Sequence, residues 1–349
     1  MTRGSIHDVA KAAGVSISTV SRAFTHPEQV RPSTRARVME AARRFSFNIS
    51  RSAGTLKTGH AGRVALLMNE EITSWFNNQT FAGIDSVLHD AGYDISVYQH
   101  IDSASTRRAF FEDLPILRNV DAVFVASFAV DPEEADRLRR LHVPIIGINT
   151  PNPEGFDASV CIDDEAGMFI AAQHLIALGH RRIVYTCSAP SDSLDASIDA
   201  RGRGFAKACR AACDSGRDLD WRIVTVPRGR DFADSALSAL LALDEFPDGV
   251  CCQMDMMAIP LLLKLQRYGR HAPRDYSLIG FDDSPYADTV NLTTMRQDPR
   301  DLGAMAARKA LRLIGGGVPE EPHSVIRPQL VLRGTDAAVG PDHGNAPIA

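Results

Sequence analysis

The sequence predicts an α/β protein in two parts: a small all-helical head, then a larger body of parallel, doubly wound sheets arranged in two lobes. The length of 349 residues is typical of two domains, or of one large domain with an appendage. The first 60 residues combine helical apolar spacing with a positive charge. From Arg63 onward, short apolar runs rich in β-branched residues alternate with helical stretches, which indicates parallel sheets covered by helices on both faces.

Three short helices are predicted in the head. Ser5 can cap the first, Gly14 can end it in the left-handed conformation, and Ser16 can cap the second. Pro32 suits the first turn of the third helix. Apolar residues follow the helical period in the first and third helices: Ile6, Val9, Ala10, Ala13, Val38, Ala41, Ala42 and Phe45. Two short helices joined at a glycine and braced by a third form a helix-turn-helix.

Charge is divided unevenly between the two parts. Residues 1–60 hold ten Lys or Arg against three Asp or Glu, a net charge of +7, whereas the remaining 289 residues carry −12. A basic head on an acidic body indicates that the head alone meets a polyanion.

The second predicted helix lies in the stretch AAGVSISTVSR, residues 12–22, which places four hydroxyl side chains within six positions. Hydroxyls are mediocre in a helix interior, but they can bond phosphates and base edges. Ile17 can touch a thymine methyl group, and Arg22 can contact guanine with two hydrogen bonds. The alternative is a small helical cap on an enzyme, with a solvated serine run.

Residues 46–59, SFNISRSAGTLKTG, form a linker by composition. They can also form one or two helical turns, capped by Ser50, with Ala53 and Leu56 on one side. Gly54 costs such a helix about 1 kcal/mol relative to Ala. A helix this short orders only against a partner.

The stretch IHDVAKAAGVSISTVSRAF resembles the N-terminal motif of LacI/GalR-family transcriptional regulators, and the resemblance extends over essentially the whole chain. It implies a hinge helix at the linker, paired with that of a second subunit in the minor groove, with Leu56 as the residue that wedges a base step apart. One departure is Ile49-Ser50, where the family commonly has Pro-Asn. The expected domains are a helix-turn-helix domain (1–48), a hinge segment (49–60), a two-lobed effector-binding and dimerisation domain (61–334) and a flexible tail (335–349).

The resemblance and the residue chemistry together predict a homodimer on a near-palindromic DNA operator. The candidate DNA-binding residues are Ser5, Ser16, Ile17, Ser18, Thr19, Ser21, Arg22, Arg31, Thr34, Ala53, Leu56 and Lys57.

The body contains two successive sets of predicted strands. They lie at 63–68, 93–98, 121–127 and 144–149, and then at 159–163, 182–187, 222–226, 249–254 and 277–281. Ligands of such sheets bind beyond the carboxyl ends of the strands. The resemblance implies the same: two lobes like those of periplasmic sugar-binding proteins, with a cleft between them. It also implies chain crossovers that make the lobe boundaries discontinuous.

Polar and aromatic residues at these strand ends are the candidate effector ligands: Trp75, Phe76, Asn149, Ser197, Arg201, Phe232, Asp255 and Asp282. Arg201 is the strongest candidate, because a fork of donors suits vicinal hydroxyls. Alternatives remain for several: core packing for Trp75 and Phe76, and capping for Asp282. Many relatives have Asn-Asp where this chain has Met254-Asp255, so one effector bond is expected to be lost or moved to Asp255.

Several function classes are disfavoured. The acids of DDEAG, residues 163–167, are explained by a helix start. GRGF, residues 202–205, lacks the spacing of a dinucleotide loop, and the chain has no HExxH, Walker, GxSxG or CxxC motif, so no enzyme activity, cofactor or metal is predicted. A solute-binding protein would need a signal peptide, which the N-terminus does not resemble.

The predicted function is therefore that of a cytoplasmic DNA-binding regulator, a repressor controlled by a small ligand such as a sugar. A purine-type corepressor is the alternative. No membrane partner is expected, because no apolar run reaches the length of a span.

Overall fold

A computed structural model of the chain describes residues 5–25, 27–45, 47, 60–99, 101, 104–112, 119–190, 197–229 and 231–340. It contains two compact units. The first comprises residues 1–63 with 119–121, and the second comprises 64–118 with 122–349.

Among its described residues, the first unit contains three α-helices: α1 (Ile6–Ala13), α2 (Ile17–Thr25) and α3 (Pro32–Arg44). A 3₁₀ turn at Pro27–Gln29 separates α2 from α3. The buried core consists of the predicted stripes together with two residues of α2: Val9, Ala10, Ala13, Val20, Ala23, Val38, Ala41 and Ala42. The ring of Phe24 packs edge-on against Phe47 at 6.3 Å between centroids. These contacts fix α2 by its apolar side and leave its other side exposed.

The second unit contains two six-stranded sheets. The first sheet, in the N lobe, has the order β2-β1-β3-β4-β5-β11. Its strands are β1 (Arg63–Met68), β2 (Asp94–Tyr98), β3 (Ala122–Ala126), β4 (Ile145–Ile148), β5 (Ala158–Ile162) and β11 (His323–Ile326). β1, β3, β4, β5 and β11 pair in parallel.

The second sheet, in the C lobe, has the order β7-β6-β8-β9-β10-β12. Its strands are β6 (Arg182–Ser188), β7 (Asp220–Val226), β8 (Gly249–Cys252), β9 (Ser277–Asp282), β10 (Thr293–Arg296) and β12 (Gln329–Val331). All neighbours pair in parallel except β10 and β12, which are antiparallel.

Helices cover both faces of each sheet. In the N lobe these are α4 (Trp75–Leu88), α5 (Ala104–Glu112), α6 (Pro132–Arg139) and α12 (Pro299–Ile314). In the C lobe they are α7 (Asp164–Ala177), α8 (Asp199–Asp214), α9 (Phe232–Leu241), α10 (Asp255–Arg267) and α11 (Pro285–Thr289).

The chain crosses between the lobes three times: after β5, after β10 and after β11. α7 packs into the C-lobe core through Met168 and Leu175, whereas α12 packs into the N-lobe core through Leu302 and Ala306. Each lobe is therefore built from discontinuous parts of the sequence.

The structure adds to the predicted order and corrects two parts of it. The strand predicted at 159–163 was assigned to the second set, but β5 pairs with β4 and β11 in the N-lobe sheet. β10, β11 and β12 were not predicted, because each has only three or four residues and no long apolar run. The flexible tail predicted from residue 335 is wrong for 335–340. Thr335 is buried and bonds to Leu278 and Thr293, and the Val339 amide donates to the Leu178 carbonyl. Residues 341–349 lie outside the described residues.

Candidate nucleic-acid interface and ligand site

The turn between α1 and α2 is built from local capping. Ser5 and Asp8 form a reciprocal capping box, in which the Asp8 amide donates to Ser5 Oγ and the Ser5 amide donates to Asp8 Oδ2. The backbone bond to Ser5 holds the pKa of Asp8 below its ordinary value. Gly14 ends α1 with φ of 63°, which a residue bearing a Cβ adopts only with strain. Ser16 Oγ accepts from the Thr19 amide at 3.2 Å and so caps α2.

The outward side of α2 presents the predicted residue set to solvent. Ile17 is 40% exposed, and Ser16, Ser18 and Arg22 are also exposed. Ser16 Oγ lies 2.8 Å from Ser18 Oγ and 2.9 Å from Thr19 Oγ1, so three hydroxyls form one cluster at the helix start. This surface combines donors and acceptors, a bare apolar side chain and a guanidinium, which are the groups that phosphates and base edges require.

The other predicted DNA contacts are distributed around this surface. Ser5 and Arg31 are exposed, whereas Thr34 and Ser21 are half-buried. The Ser5 side chain also caps α1 through its capping box with Asp8, so it has a structural role besides any contact with DNA. Three predicted contacts of the linker, Ala53, Leu56 and Lys57, lie outside the described residues.

In the body, Arg201 is the centre of a buried polar cluster at the carboxyl ends of the C-lobe strands. Its Nε donates to Asp164 Oδ1 at 2.7 Å, and its Nη1 donates to the Gln253 carbonyl at 2.6 Å. Nη1 also lies 3.6 Å from Asp282 Oδ1, and the guanidinium carbon lies 3.7 Å from the centroid of the Phe281 ring. Burial alone would lower the pKa of Arg201, but the carboxylates of Asp164 and Asp282 raise it.

Asn149 brings the N lobe into this cluster. It follows β4, and its side-chain amide donates to Ser197 Oγ at 3.0 Å and to Asp164 Oδ2 at 3.4 Å. Its Oδ1 accepts from the Ile162 amide at 2.9 Å. Asn149 has a φ of 47° and Asp282 a φ of 130°, so both occupy strained backbone conformations at the same site. The structure therefore joins Asn149, Ser197, Arg201 and Asp282, all predicted, in one inter-lobe network.

The acids of this cluster are held in unfavourable surroundings. Burial raises the pKa of Asp282 to about 7, because Arg201 compensates only in part and Asp255 adds a second negative charge. Burial likewise raises the pKa of Asp255 to about 6, although Thr294 donates to one of its oxygens and the Ser284 amide to the other. The site thus holds more carboxylate than nearby guanidinium can neutralise.

Two members of the cluster were not predicted as ligands. Asp164 was attributed to a favourable helix start, but its side chain is buried against Arg201. Gln297 follows the unpredicted strand β10, and its Nε2 donates to Asp282 Oδ1 at 2.6 Å. Among the described residues, Gln297 Oε1 is buried and accepts no hydrogen bond. Because the four-residue strand β10 was not predicted, Gln297 at its carboxyl end was not recognised as a candidate ligand.

The remaining predicted ligands lie elsewhere. Phe76 packs against the N-lobe core and Phe232 against the C-lobe core, which supports the core-packing alternative for Phe76. Trp75 is half-buried at the start of α4. Asp255 is fully buried with both oxygens bonded inside the C lobe, so the structure gives it a supporting place beneath the cluster rather than the expected effector bond.

Among the described residues, no helix is both long and apolar enough to cross a membrane. Nor do those residues include a group of three or more His, Cys, Asp or Glu side chains placed to hold a metal ion.

Comparison with known families matches two parts of the chain. Residues 5–48 match bacterial regulatory proteins of the lacI family, and residues 172–335 match a periplasmic binding protein-like domain. The first match covers the helix-turn-helix, and the second covers most of the C lobe with the last crossings.

Individual proteins match over nearly the whole length. The HTH-type transcriptional regulator CelR of Thermobifida fusca is 30% identical over 348 residues, which covers 95% of this chain and 98% of that protein. A Lac repressor dimer bound to operator and the anti-inducer ONPF superposes with a TM-score of 0.80 at 21% identity, covering 97% of this chain and 100% of the other. A complex of CelR with cellobiose superposes with a TM-score of 0.66 at 26% identity, covering 95% and 100%.

Proposed function

Because this chain belongs to the LacI family of DNA-binding transcriptional regulators, we propose that it is a repressor whose operator affinity is set by a neutral, hydroxyl-rich ligand, a sugar, bound at the Arg201 cluster. One observation carries the choice of ligand. The cluster holds Asp164 and Asp282 against Arg201, with Asp255 beneath Asp282 and with Gln297 Oε1 as a buried acceptor that needs a donor. The proposed activity is binding in the cytoplasm, where operator DNA lies.

The charge of the cluster selects against anions. A sugar phosphate or sugar acid would add negative charge beside carboxylates whose pKa is already raised. A neutral sugar brings hydroxyl groups that donate to Asp282 and Gln297 and accept from Arg201. That CelR binds cellobiose supports a neutral sugar for this chain.

The head supplies the DNA contacts in this proposal. Helix α2 enters the major groove with Ile17, Ser18 and Arg22 toward the bases, and Ser16 and Thr19 toward phosphate. The proposed domain division keeps 1–48 as the DNA-binding domain, 49–60 as the hinge and 61–334 as the effector and dimerisation domain. Two copies on one operator double the phosphate contacts and require two-fold symmetry in the DNA.

Control of DNA binding follows from the inter-lobe network. A ligand shifts operator affinity only if it binds the DNA-competent and incompetent states unequally. The Asn149 bonds to Ser197 and Asp164 join the two lobes, so a ligand that adds to or replaces them changes how the lobes close. Closure then changes the spacing of the two hinge segments in a dimer.

The test is a thermal-shift panel on the purified protein with cellobiose, ribose, glucose 6-phosphate, glucuronate and hypoxanthine. We expect a neutral sugar to raise Tm and the two anions to have no effect. Arg201→Lys keeps the charge but loses the fork of donors, so it should abolish the shift. Arg217→Lys is the control, since Arg217 donates to the Ile176 carbonyl outside the cluster.

Two results would contradict the ligand class. A shift by the anions alone would show that the cluster is not the electrostatic filter proposed. A shift by hypoxanthine alone would favour the purine-type alternative.

A further inference from the structure

Each lobe contains the same carboxylate clamp at the amino end of its central strands. Asp121 directly precedes β3, and its two oxygens accept from the Ala61 amide at 2.8 Å and the Gly62 amide at 2.7 Å. Asp248 directly precedes β8, and its carboxylate accepts from the Arg181 amide at 3.1 Å and the Arg182 amide at 3.0 Å. In both cases the clamped residues lead into the neighbouring strand, β1 or β6.

The correspondence extends to the surrounding groups. The Asp121 amide donates to the Arg63 carbonyl at 2.7 Å, and the Asp248 amide donates to the Arg182 carbonyl at 3.0 Å. His60 Nδ1 lies 3.7 Å from Asp121, and His180 Nδ1 lies 3.6 Å from Asp248. β1 with β3 and β6 with β8 also hold equivalent places in the two sheet orders. The clamps are therefore repeated parts of the two lobes.

The two clamps differ in the segment of chain that precedes each of them. The C-lobe clamp follows α7 and its glycine turn, inside one lobe. The N-lobe clamp follows the predicted hinge segment, residues 49–60, so it holds the point at which that segment joins the body. The surroundings differ accordingly, because the His180 side chain is fully buried while that of His60 is 51% exposed.

We propose that Asp121 is a positioning residue for operator recognition, which fixes the end of the hinge segment to the start of β3. This rests on the proposed DNA-binding function. Two consecutive amides donate to one charged carboxylate, and Gly62 turns the chain there with a φ of 64°. Residues 61–62 are thus held to Asp121 by two hydrogen bonds. A displacement of β3 therefore moves the end of the hinge segment with it. In the C lobe the same bonds only order a strand.

The experiment compares Asp121→Asn with Asp248→Asn. Each substitution removes one acceptor and places an amide NH₂ against a backbone N–H donor. Wild type first selects a duplex from a random DNA pool. Affinities of all three proteins are then measured for that duplex and for a scrambled one, and urea unfolding is followed in parallel.

We expect both variants to unfold at lower urea concentration. Asp121→Asn should bind the selected duplex about tenfold more weakly and the scrambled duplex within twofold of wild type. Asp248→Asn should keep both affinities within twofold. If Asp121→Asn changes the ratio of the two affinities no more than Asp248→Asn does, the clamp is merely structural and the proposal is overturned.

A second measurement uses wild type alone, in case Asp121→Asn does not fold. Hydrogen exchange of the Ala61 and Gly62 amides should slow at least about tenfold when the selected duplex binds, whereas the Arg181 and Arg182 amides should not change. Equal responses at the two clamps would overturn the proposal. A wild-type protein that selects no sequence at all would instead remove the proposed function on which this inference rests.

Discussion

Single side chains of the cluster decide how the body responds to pH. The pKa of Asp282 is raised from its ordinary value of 3.8 to about 7 in the folded protein, mainly because the carboxyl group is buried. A raised pKa means that the folded state holds a proton that the unfolded state releases. The free energy of unfolding should therefore fall as pH rises from about 4 through about 7.

The Asp282→Asn side chain cannot ionise, so the free energy of unfolding of the variant should fall less steeply with pH. Relative to wild type, the variant should therefore become more stable between pH 5 and pH 8. The remaining slope reflects Asp255, whose pKa is about 6, and Asp164, whose pKa is also raised by burial. Urea denaturation of both proteins at pH 5, 6, 7 and 8 measures this pH dependence of the free energy of unfolding. Asp288→Asn is the control, because the Asp288 side chain is 88% exposed. A wild-type protein that is more stable at pH 8 than at pH 5 would contradict the assignment.

At the DNA surface, Arg22→Ala should relax discrimination at one operator base pair by about 1–3 kcal/mol, since we assign its guanidinium to a base edge. Lys57→Ala should weaken binding to all sequences alike and reduce the salt dependence, because we assign it to phosphate. Titration of both variants with single-base variants of the selected duplex separates the two roles. An equal loss by Arg22→Ala on specific and random DNA would refute its base contact.

At the level of helices, glycines mark where two backbones meet. A Cβ at Gly204 on α8 would lie 2.0 Å from the Glu165 carbonyl oxygen of α7. In the N lobe, a Cβ at Gly303 on α12 would lie 2.2 Å from the Thr80 carbonyl oxygen of α4. The GRGF motif lies inside α8, and its second glycine, Gly204, allows the close packing of α8 against α7.

Two glycines of α8 provide a matched test of this packing. Gly204→Ala forces the helices apart and should lower the free energy of unfolding by about 1–3 kcal/mol. Gly202→Ala meets only the Tyr185 ring, at 3.4 Å, and should stabilise by up to about 1 kcal/mol through helix propensity. Urea unfolding of both variants measures the difference. Equal effects would mean that α7 and α8 separate at no cost.

The elements also show what a sequence can predict. The apolar runs of β1 and β9 and the caps at Ser5 and Gly14 are local signals, and the structure confirms them. The three crossings are not local: α12 and β11 join the N lobe from the far end of the chain. Gln297 was missed for another reason: it follows β10, a strand of four residues without a long apolar run that lies between β9 and β12.

At the scale of the whole molecule, the proposed homodimer needs an apolar surface, and α10 offers one candidate. Met256 is 55% exposed and Leu263, two turns later, is 45% exposed. Leu263→Glu should shift sedimentation from dimer to monomer and weaken operator binding at least tenfold, because a single head loses half of the phosphate contacts. Val318→Glu is the control, since Val318 is 72% exposed in the loop between α12 and β11. A wild-type monomer at micromolar concentration that still binds operator tightly would contradict the homodimer.

The three crossings also order events during synthesis on the ribosome. The head is translated first, and its core uses residues 9–42 alone. The N lobe lacks a helix and an edge strand until residue 326 has been made, and the C lobe lacks its last strand until residue 331. Both lobes therefore finish only when residues 323–331 have been made. A chain released before Gln297 would carry the residues of the DNA-binding head but neither Gln297 nor a complete N lobe. We therefore expect premature termination to remove the proposed ligand control.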